Sequence, residues 1–317
     1  MGGDAPLIAT REATRGLSTV AEPPPWEREG RPRPTWGLVE GDVIAPGRTV
    51  LRQLSGGRRY EVFLVWDDHR LAVLVAKVLR PDQAGEQSAL RDLGREADAL
   101  ARLSHPVIVR GFDAVTDGRL PHLLTEHLEG PTLRELIDRD GALALEQALP
   151  LGLHAASALH YMAGEGMVHL DVKPENIVMG APPRLIDLSV ARSVDAAGRL
   201  RTAIGTDAYM APEQCDPRRA TLGPPADVFG LAATLHHAVG GSRPFPRHGT
   251  DFPQLTHDPE PLPRRVPRPL AELLRAALAR DPADRPSAAE LAAGLEPLVA
   301  DLPRRMVLGR RGWRRVK

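Results

Sequence analysis

The residues best suited to chemistry lie in residues 169–176 (HLDVKPEN) and at Asp187. Asn176 and Asp187 supply amide and carboxylate oxygens, which are hard ligands of the kind that Mg²⁺ prefers. Asp171 can accept or orient the proton of an attacking hydroxyl, and the nearby Lys173 can neutralise a phosphoryl group. This combination predicts a site that binds phosphate together with a metal ion. The alternative is an acidic surface loop that matches the pattern by chance.

A second candidate pair comes from a strand-like run and the helix expected after it. Lys77 lies in residues 71–79 (LAVLVAKVL), where a buried lysine needs an opposite charge. Glu96 lies on the amphipathic stretch 86–103 and is the expected partner, whereas Glu86, at the entry of that stretch, is a weaker candidate. A solvated surface charge explains Glu96 taken alone but explains the pair poorly.

Residues 205–213 (GTDAYMAPE) add a further motif in the same order along the chain. With these motifs the sequence resembles the eukaryotic-type (Hanks-type) Ser/Thr protein kinase family, including its bacterial members, from about Val50 to Val299. The resemblance implies ATP-dependent transfer of the γ-phosphoryl group to Ser/Thr hydroxyls of protein substrates, and phosphorylation of the chain itself. The implied cofactors are ATP and Mg²⁺, with Mn²⁺ as the alternative metal.

The resemblance also assigns roles residue by residue. The catalytic side chains that it implies are Asp171, Lys173 and Thr206. The metal ligands that it implies are Asn176 and Asp187. Residues implied to hold the nucleotide are Lys77 and its partner Glu96, the adenine contacts Val62, Val75 and Val178, and Glu126 and Leu128 of the linker between lobes. Glu213 and Arg285 are expected to form a buried ion pair, and Asp227 to cap the backbone of the catalytic loop.

The loop expected to cover the phosphates, residues 54–62 (LSGGRRYEV), departs from the family pattern. Of the three glycine positions only Gly57 is kept, because Ser55 and Tyr60 occupy the first and third. Gly56 and Gly57 still let backbone N–H groups approach phosphate without a clashing Cβ, so both are assigned to the nucleotide. Taken alone, this segment is equally typical of a hairpin turn.

A second departure is Leu170, which stands where the family has an arginine before the catalytic aspartate. By resemblance that arginine holds a phosphorylated residue of the activation loop. Its absence leads to the hypothesis that phosphorylation of the activation loop, for example at Thr202, is not a strict on-switch.

The elements that must position these residues change character along the chain. Short Val- and Leu-rich runs up to about residue 127 predict an antiparallel sheet with one helix. The amphipathic stretches 145–164, 226–239, 269–280 and 287–299 predict a mainly helical second part, with Ser287 as an N-cap. The expected fold is α+β, a bilobal protein kinase-like fold with an N-lobe over about 39–127 and a C-lobe over about 128–300. Residues 1–38 are interpreted as a disordered Pro-rich leader, and 301–317 as a basic tail.

Composition limits the remaining function classes. The formal net charge is zero, which argues against a surface devoted to nucleic acid, and the basic tail is a candidate contact for an acidic partner, with a solvated tail as the alternative. No apolar run reaches about eighteen residues, so no transmembrane segment is expected. The one cysteine, Cys215, excludes an intrachain disulfide and favours a cytoplasmic setting. The alternative function is a pseudokinase scaffold that binds nucleotide or partners with little catalysis.

Overall fold

The small lobe is built on one antiparallel sheet of six strands in the order β1-β2-β3-β4-β6-β5. The computed structural model of the chain describes residues 33–246 and 252–303. The strands of this sheet are β1 (Val43–Ala45), β2 (Arg48–Gly56), β3 (Tyr60–Asp67), β4 (Ala72–Leu79), β5 (Gly111–Val115) and β6 (His122–Glu126). Hairpin turns join β2 to β3 and β3 to β4, and the register sets Val62 opposite Lys77.

The two faces of this sheet carry different side chains because successive residues of a strand point to opposite sides. On the outer face, Phe63 and Val65 pack with Leu74 and Ala76 in a small apolar cluster. The even positions of β3 and the odd positions of β4 face the other lobe. This parity is what places Lys77 over the cleft.

The one helix of the small lobe, α1 (Gln87–Arg102), packs against the inner face of the sheet. Leu93 and Leu100 are buried on the face that it turns to the core. Glu96 lies three residues after Leu93 and four before Leu100, so helical spacing puts it on the same face. The carboxylate of Glu96 is thereby directed inward, at 2% exposure.

The large lobe consists mainly of helices. They are α2 (Leu133–Asp140), α3 (Leu145–Gly164), α4 (Val194–Gly198), α5 (Pro212–Cys215), α6 (Pro224–Gly240), α7 (Arg268–Ala277) and α8 (Ala288–Ala300). Two short strand pairs complete the lobe, β7 (Met167–Val168) with β10 (Arg192–Ser193) and β8 (Ile177–Val178) with β9 (Arg184–Leu185). Helices α3 and α6 form its centre. A Cβ on Gly152 of α3 would lie 2.9 Å from Leu235 of α6, so glycine permits their close approach.

The predicted α+β bilobal fold is confirmed. Helix α3 has the predicted bounds, and the Ser287 side chain caps α8 by accepting a hydrogen bond from the Glu290 N–H. Helix α2 was not predicted, although Thr132 and Glu135 form the capping box that signals its start.

The N-terminal boundary differs from the prediction. Residues 33–38, interpreted above as part of a disordered leader, lie against the small lobe, and Trp36 and Leu38 pack on its outer apolar cluster. The ring of Trp36 offers enough apolar surface to hold the segment. Residues 1–32 of the predicted leader and 304–317 of the predicted basic tail lie outside the described residues. No helix within the described ranges is long and apolar enough to cross a membrane.

Candidate active site

An ion-pair triad lies at the inner face of the sheet. The Lys77 ammonium on β4 is 2.9 Å from both carboxylate oxygens of Glu96 on α1 and 2.8 Å from Oδ1 of Asp187. Burial alone would lower the pKa of Lys77, but the two facing carboxylates raise it above its usual value. Burial likewise opposes ionisation of Asp187, yet Lys77 holds the pKa of that carboxyl below its usual range. The charged forms of Lys77 and Asp187 are therefore favoured, whereas burial raises the pKa of Glu96 above its usual value.

Tyr60 lies against this triad. The sequence analysis noted only that Tyr60 occupies a position where the family has glycine. Its ring lies under Lys77, with the ammonium 4.6 Å from the ring centroid, a cation–π contact. The residue is 9% exposed, and its hydroxyl has no hydrogen-bond partner among the described residues. Burial and the neighbouring carboxylates of Glu96 and Asp187 raise the pKa of Tyr60 to about 12. Side chains alternate along β3, so Tyr60 points to the same face as Val62, which lines the cleft. This alternation was the sequence signal that could have predicted the contact with Lys77.

A second network joins the three predicted catalytic side chains. The Thr206 hydroxyl donates to Asp171 Oδ1 at 2.7 Å, and the Lys173 ammonium donates to Asp171 Oδ2 at 2.7 Å and to Thr206 Oγ1 at 2.6 Å. Asn176 Nδ2 donates to Asp171 Oδ2 at 3.0 Å. These contacts fix the plane of the Asp171 carboxylate between Thr206 on one side and Lys173 and Asn176 on the other. Oδ1, which accepts a single hydrogen bond, retains a lone pair with which to accept a further proton.

The backbone of the catalytic loop, residues 169–176, is held in place by a buried aspartate, Asp227. Asp227, near the start of α6, accepts hydrogen bonds from the N–H groups of His169 at 2.7 Å and Leu170 at 2.6 Å. Leu170 has a φ of 65°, a left-handed conformation that costs about 1–2 kcal/mol for a residue with a Cβ. Its carbonyl accepts from the Gln214 side chain at 2.8 Å. The hydrogen bonds on both sides of Leu170 stabilise this conformation and direct Asp171 outward.

Asn176 and Asp187 are the side chains that fit a divalent cation. The backbone carbonyl of Asn176 accepts a hydrogen bond from the Ile186 N–H at 2.9 Å. Asn176 therefore lies beside the residue that immediately precedes Asp187. Because Asn176 Nδ2 donates to Asp171, its Oδ1 remains for a metal. The described residues contain no group of three or more His, Cys, Asp or Glu suited to a metal. Two oxygen ligands fit Mg²⁺, which usually completes its octahedron with waters and phosphates.

A cavity of 760 Å³ opens between the lobes, a size typical of small-molecule sites. The predicted nucleotide and metal residues among its lining are Val62, Val75, Lys77, Glu96, Glu126, Leu128, Asn176, Val178 and Asp187. The Glu126 N–H donates to the Arg110 carbonyl at 3.0 Å, and contact of the Glu126 backbone with an adenine edge stays a prediction. Asp171 does not line this cavity, but it accepts a hydrogen bond from Asn176, which does.

Gly56 and Gly57 do not line the cavity. They lie at the tip of the β2–β3 hairpin, where a Cβ on Gly56 would come within 2.7 Å of the Arg80 guanidinium. A side chain at position 56 would therefore require the Arg80 guanidinium to shift. Contact of either glycine with phosphate stays a prediction.

Comparison with known proteins gives a consistent result. Residues 48–294 match the family model described as protein kinase domain. The chain is 36% identical over 229 residues to the serine/threonine-protein kinase PkaA of Streptomyces coelicolor, covering 69% of this chain and 42% of that protein. It is 32% identical over 259 residues to PknB of Mycolicibacterium smegmatis, covering 76% and 41%. It is 34% identical over 260 residues to PknA of Mycobacterium tuberculosis, covering 77% and 59%.

The chain belongs to the protein kinase family, among bacterial serine/threonine kinases of the Hanks type. The resemblance predicted from the motifs is thus confirmed. These alignments span only 41–59% of the length of those three relatives.

Proposed function

We propose that this chain binds ATP and a divalent cation in the cleft between its lobes and transfers the γ-phosphoryl group to Ser/Thr hydroxyls of protein substrates, its own included. The observation that carries the proposal is the presence of two networks, Lys77–Glu96–Asp187 and Asp171–Lys173–Thr206. Asn176 lies between them, since its side chain donates to Asp171 and its carbonyl accepts from Ile186, the residue before Asp187. A scaffold that merely bound partners would have no use for both networks. Nucleotide-sized space beside them adds support.

The reaction assigns each side chain a task. Val62, Val75 and Val178 enclose the adenine, the backbone of Glu126 and Leu128 binds its edge, and Lys77 binds phosphate oxygens. Asn176 and Asp187 would hold the cation, Mg²⁺ in preference to Mn²⁺, which neutralises charge on the phosphates.

Transfer itself is a displacement at Pγ. A bond forms between the acceptor oxygen and Pγ, while the bond from Pγ to the oxygen bridging to Pβ breaks and leaves its electron pair on ADP. The proton of the acceptor passes to Asp171, which Thr206 and Lys173 orient. Lys173 also neutralises the transferring group.

The proposal extends to organisation. The folded domain would run from about 33 to 300, with the small lobe ending at about 127. A cytoplasmic setting is favoured because ATP is supplied there and Cys215 is a free thiol. Binding of an acidic partner by residues 301–317 stays a prediction.

The test compares the full chain with an Asp171→Asn variant, using labelled ATP, Mg²⁺ and a generic protein acceptor. We expect phosphate incorporation to fall at least about 100-fold, because the variant loses the proton acceptor. Asp138→Asn, a change at a half-exposed aspartate of α2, is the matched control and should incorporate phosphate at the wild-type rate. ATP binding is measured in parallel by calorimetry.

Equal incorporation in wild type and Asp171→Asn would contradict the proposal. So would the absence of incorporation in wild type while ATP still binds, which would indicate a nucleotide-binding scaffold. Repeating the assay with Mn²⁺ in place of Mg²⁺ decides between the two ions.

A further inference from the structure

Residues 34–36, here named the leader strap, cross the outer face of the small lobe ahead of the region that matches the kinase family, which begins at residue 48. The ring of Trp36 packs on the outer apolar cluster, and its Nε1–H donates to the Leu79 carbonyl at 2.7 Å. The Arg119 guanidinium stacks over the same ring, 5.7 Å from its centroid. The strap is thus attached by apolar, polar and cation–π contacts.

The leader strap also supplies hydrogen bonds to a buried charge. Glu61 on β3 is 1% exposed. Its Oε2 accepts from the Trp36 N–H at 3.0 Å, and its Oε1 accepts from the Thr35 hydroxyl. A buried carboxylate is costly unless such donors are present, so the strap and Glu61 stabilise each other.

Arg80 connects the strap to the loop over the phosphates. It follows β4 and is 8% exposed. Its Nη1 donates to the Pro34 carbonyl at 2.8 Å, and its Nε donates to the Gly57 carbonyl at 2.8 Å. The guanidinium is a rigid planar fork, so the position of one partner constrains the other.

The same guanidinium lies against the glycine at the hairpin tip. Its Nη2 would be 2.7 Å from a Cβ on Gly56, and the Arg80 N–H donates to the Arg59 carbonyl at 2.9 Å. Arg80 therefore lies against the hairpin tip at Gly56, Gly57 and Arg59. Loss of the strap would remove the outer anchor of this arginine.

We propose that the leader strap positions the phosphate-covering loop for ATP, acting through Arg80 and Glu61. A loop ordered in advance loses less conformational freedom when the nucleotide binds, which strengthens binding without a contact to the ligand. The strap residues and Arg80 are positioning residues, because they act through the loop. The inference rests on the cleft binding ATP, as proposed above.

The first test measures binding of a non-hydrolysable ATP analogue with Mg²⁺ to full-length variants by calorimetry. Trp36→Ala removes the ring and its hydrogen bond, and Thr35→Glu sets a second negative charge against Glu61. For both we expect the Kd to rise about tenfold. Trp66→Ala is the matched control, since Trp66 is a half-buried tryptophan at the far end of β3 and should leave the Kd unchanged.

The second test reads the loop without nucleotide. Arg58 and Arg59 are exposed at the hairpin tip and offer trypsin a cleavage site, while Arg219, half-exposed in the large lobe, serves as the internal reference. In Trp36→Ala and Thr35→Glu we expect cleavage at the tip to rise several-fold relative to cleavage after Arg219. Arg80→Lys, which keeps the charge but cannot span both carbonyls, should behave in the same way.

Two results would overturn the inference: a Kd within about twofold of wild type in both strap variants, or an unchanged cleavage ratio, including the case in which cleavage rises equally at both sites. The last case would mean general destabilisation. Failure of the wild-type chain to bind the analogue would instead refute the proposed function. The cleavage ratio would still report on the strap in that case.

Discussion

Replacing Tyr60 by Phe should stabilise this protein and leave nucleotide binding unchanged. The aromatic ring carries the contact with the Lys77 ammonium, 4.6 Å away, and Phe retains that ring. The hydroxyl, in contrast, is buried without a protein partner among the described residues. The substitution therefore removes the hydroxyl, which destabilises the fold, and keeps the ring, which stabilises it.

The size of the effect follows from these two contributions. A buried hydroxyl without a partner costs about 1–3 kcal/mol. Tyr60→Phe should thus raise the free energy of unfolding by about 1 kcal/mol, which for a domain of this size raises the Tm by about 2–4 °C. Tyr60→Leu, which loses a cation–π contact worth about 1–2 kcal/mol, should instead lower the Tm.

Thermal unfolding followed by circular dichroism at neutral pH measures both shifts, and titration with an ATP analogue measures the Kd. A lower Tm in Tyr60→Phe would refute the reasoning. Weaker nucleotide binding in Tyr60→Phe would refute it too, because it would mean that the hydroxyl donates to the bound nucleotide.

Three further predictions concern regulation, stability and pH. Thr202→Ala should retain phosphoryl transfer, measured as initial rates, because Leu170 has replaced the arginine that would hold a phosphorylated loop; abolished activity would count against this. Glu213→Ala should lower the free energy of unfolding in urea by about 3–5 kcal/mol, since it strips a fully buried partner, at 2.6 Å, from Arg285; a loss below about 1 kcal/mol would contradict it. Burial lowers the pKa of His237 from 6.5 to about 4, so between these pH values the unfolded chain binds a proton at this residue that the folded chain does not. The Tm should therefore fall as the pH is lowered from about 6.5 towards 4, and it should fall less steeply in His237→Gln. Equal slopes in the two proteins would refute the assignment.

Local patterns in the sequence were sufficient for most elements. Helix α3 could be bounded because its apolar positions repeat at helical spacing over residues 145–164, and α8 because Ser287 is a local N-cap signal. Strands β3 and β4 were recognisable from short Val-rich runs. The short helix α2 was missed because eight residues carry little periodicity, even though Thr132 marks its start.

The motifs also predicted which polar residues should meet, but only the tertiary structure decided how. The family resemblance and the amphipathic stretch paired Lys77 with Glu96, whereas contact of Thr206 with Asp171, 35 positions apart, depends on how residues 187–213 fold back onto the catalytic loop. Loop closure over such distances is not encoded in any local pattern.

The features that departed from expectation share one physical cause. Tyr60 was read as a lost glycine and the segment 33–38 as disordered, because short-range composition describes neither. The sequence alone determined the family and most of the secondary structure, and it predicted a set of reactive side chains, since these follow from residue types and their spacing. The tertiary structure decided that Tyr60 lies under Lys77 and that Arg80 joins the leader strap to the phosphate-covering loop, because such contacts depend on which buried charges and rings are brought together in space.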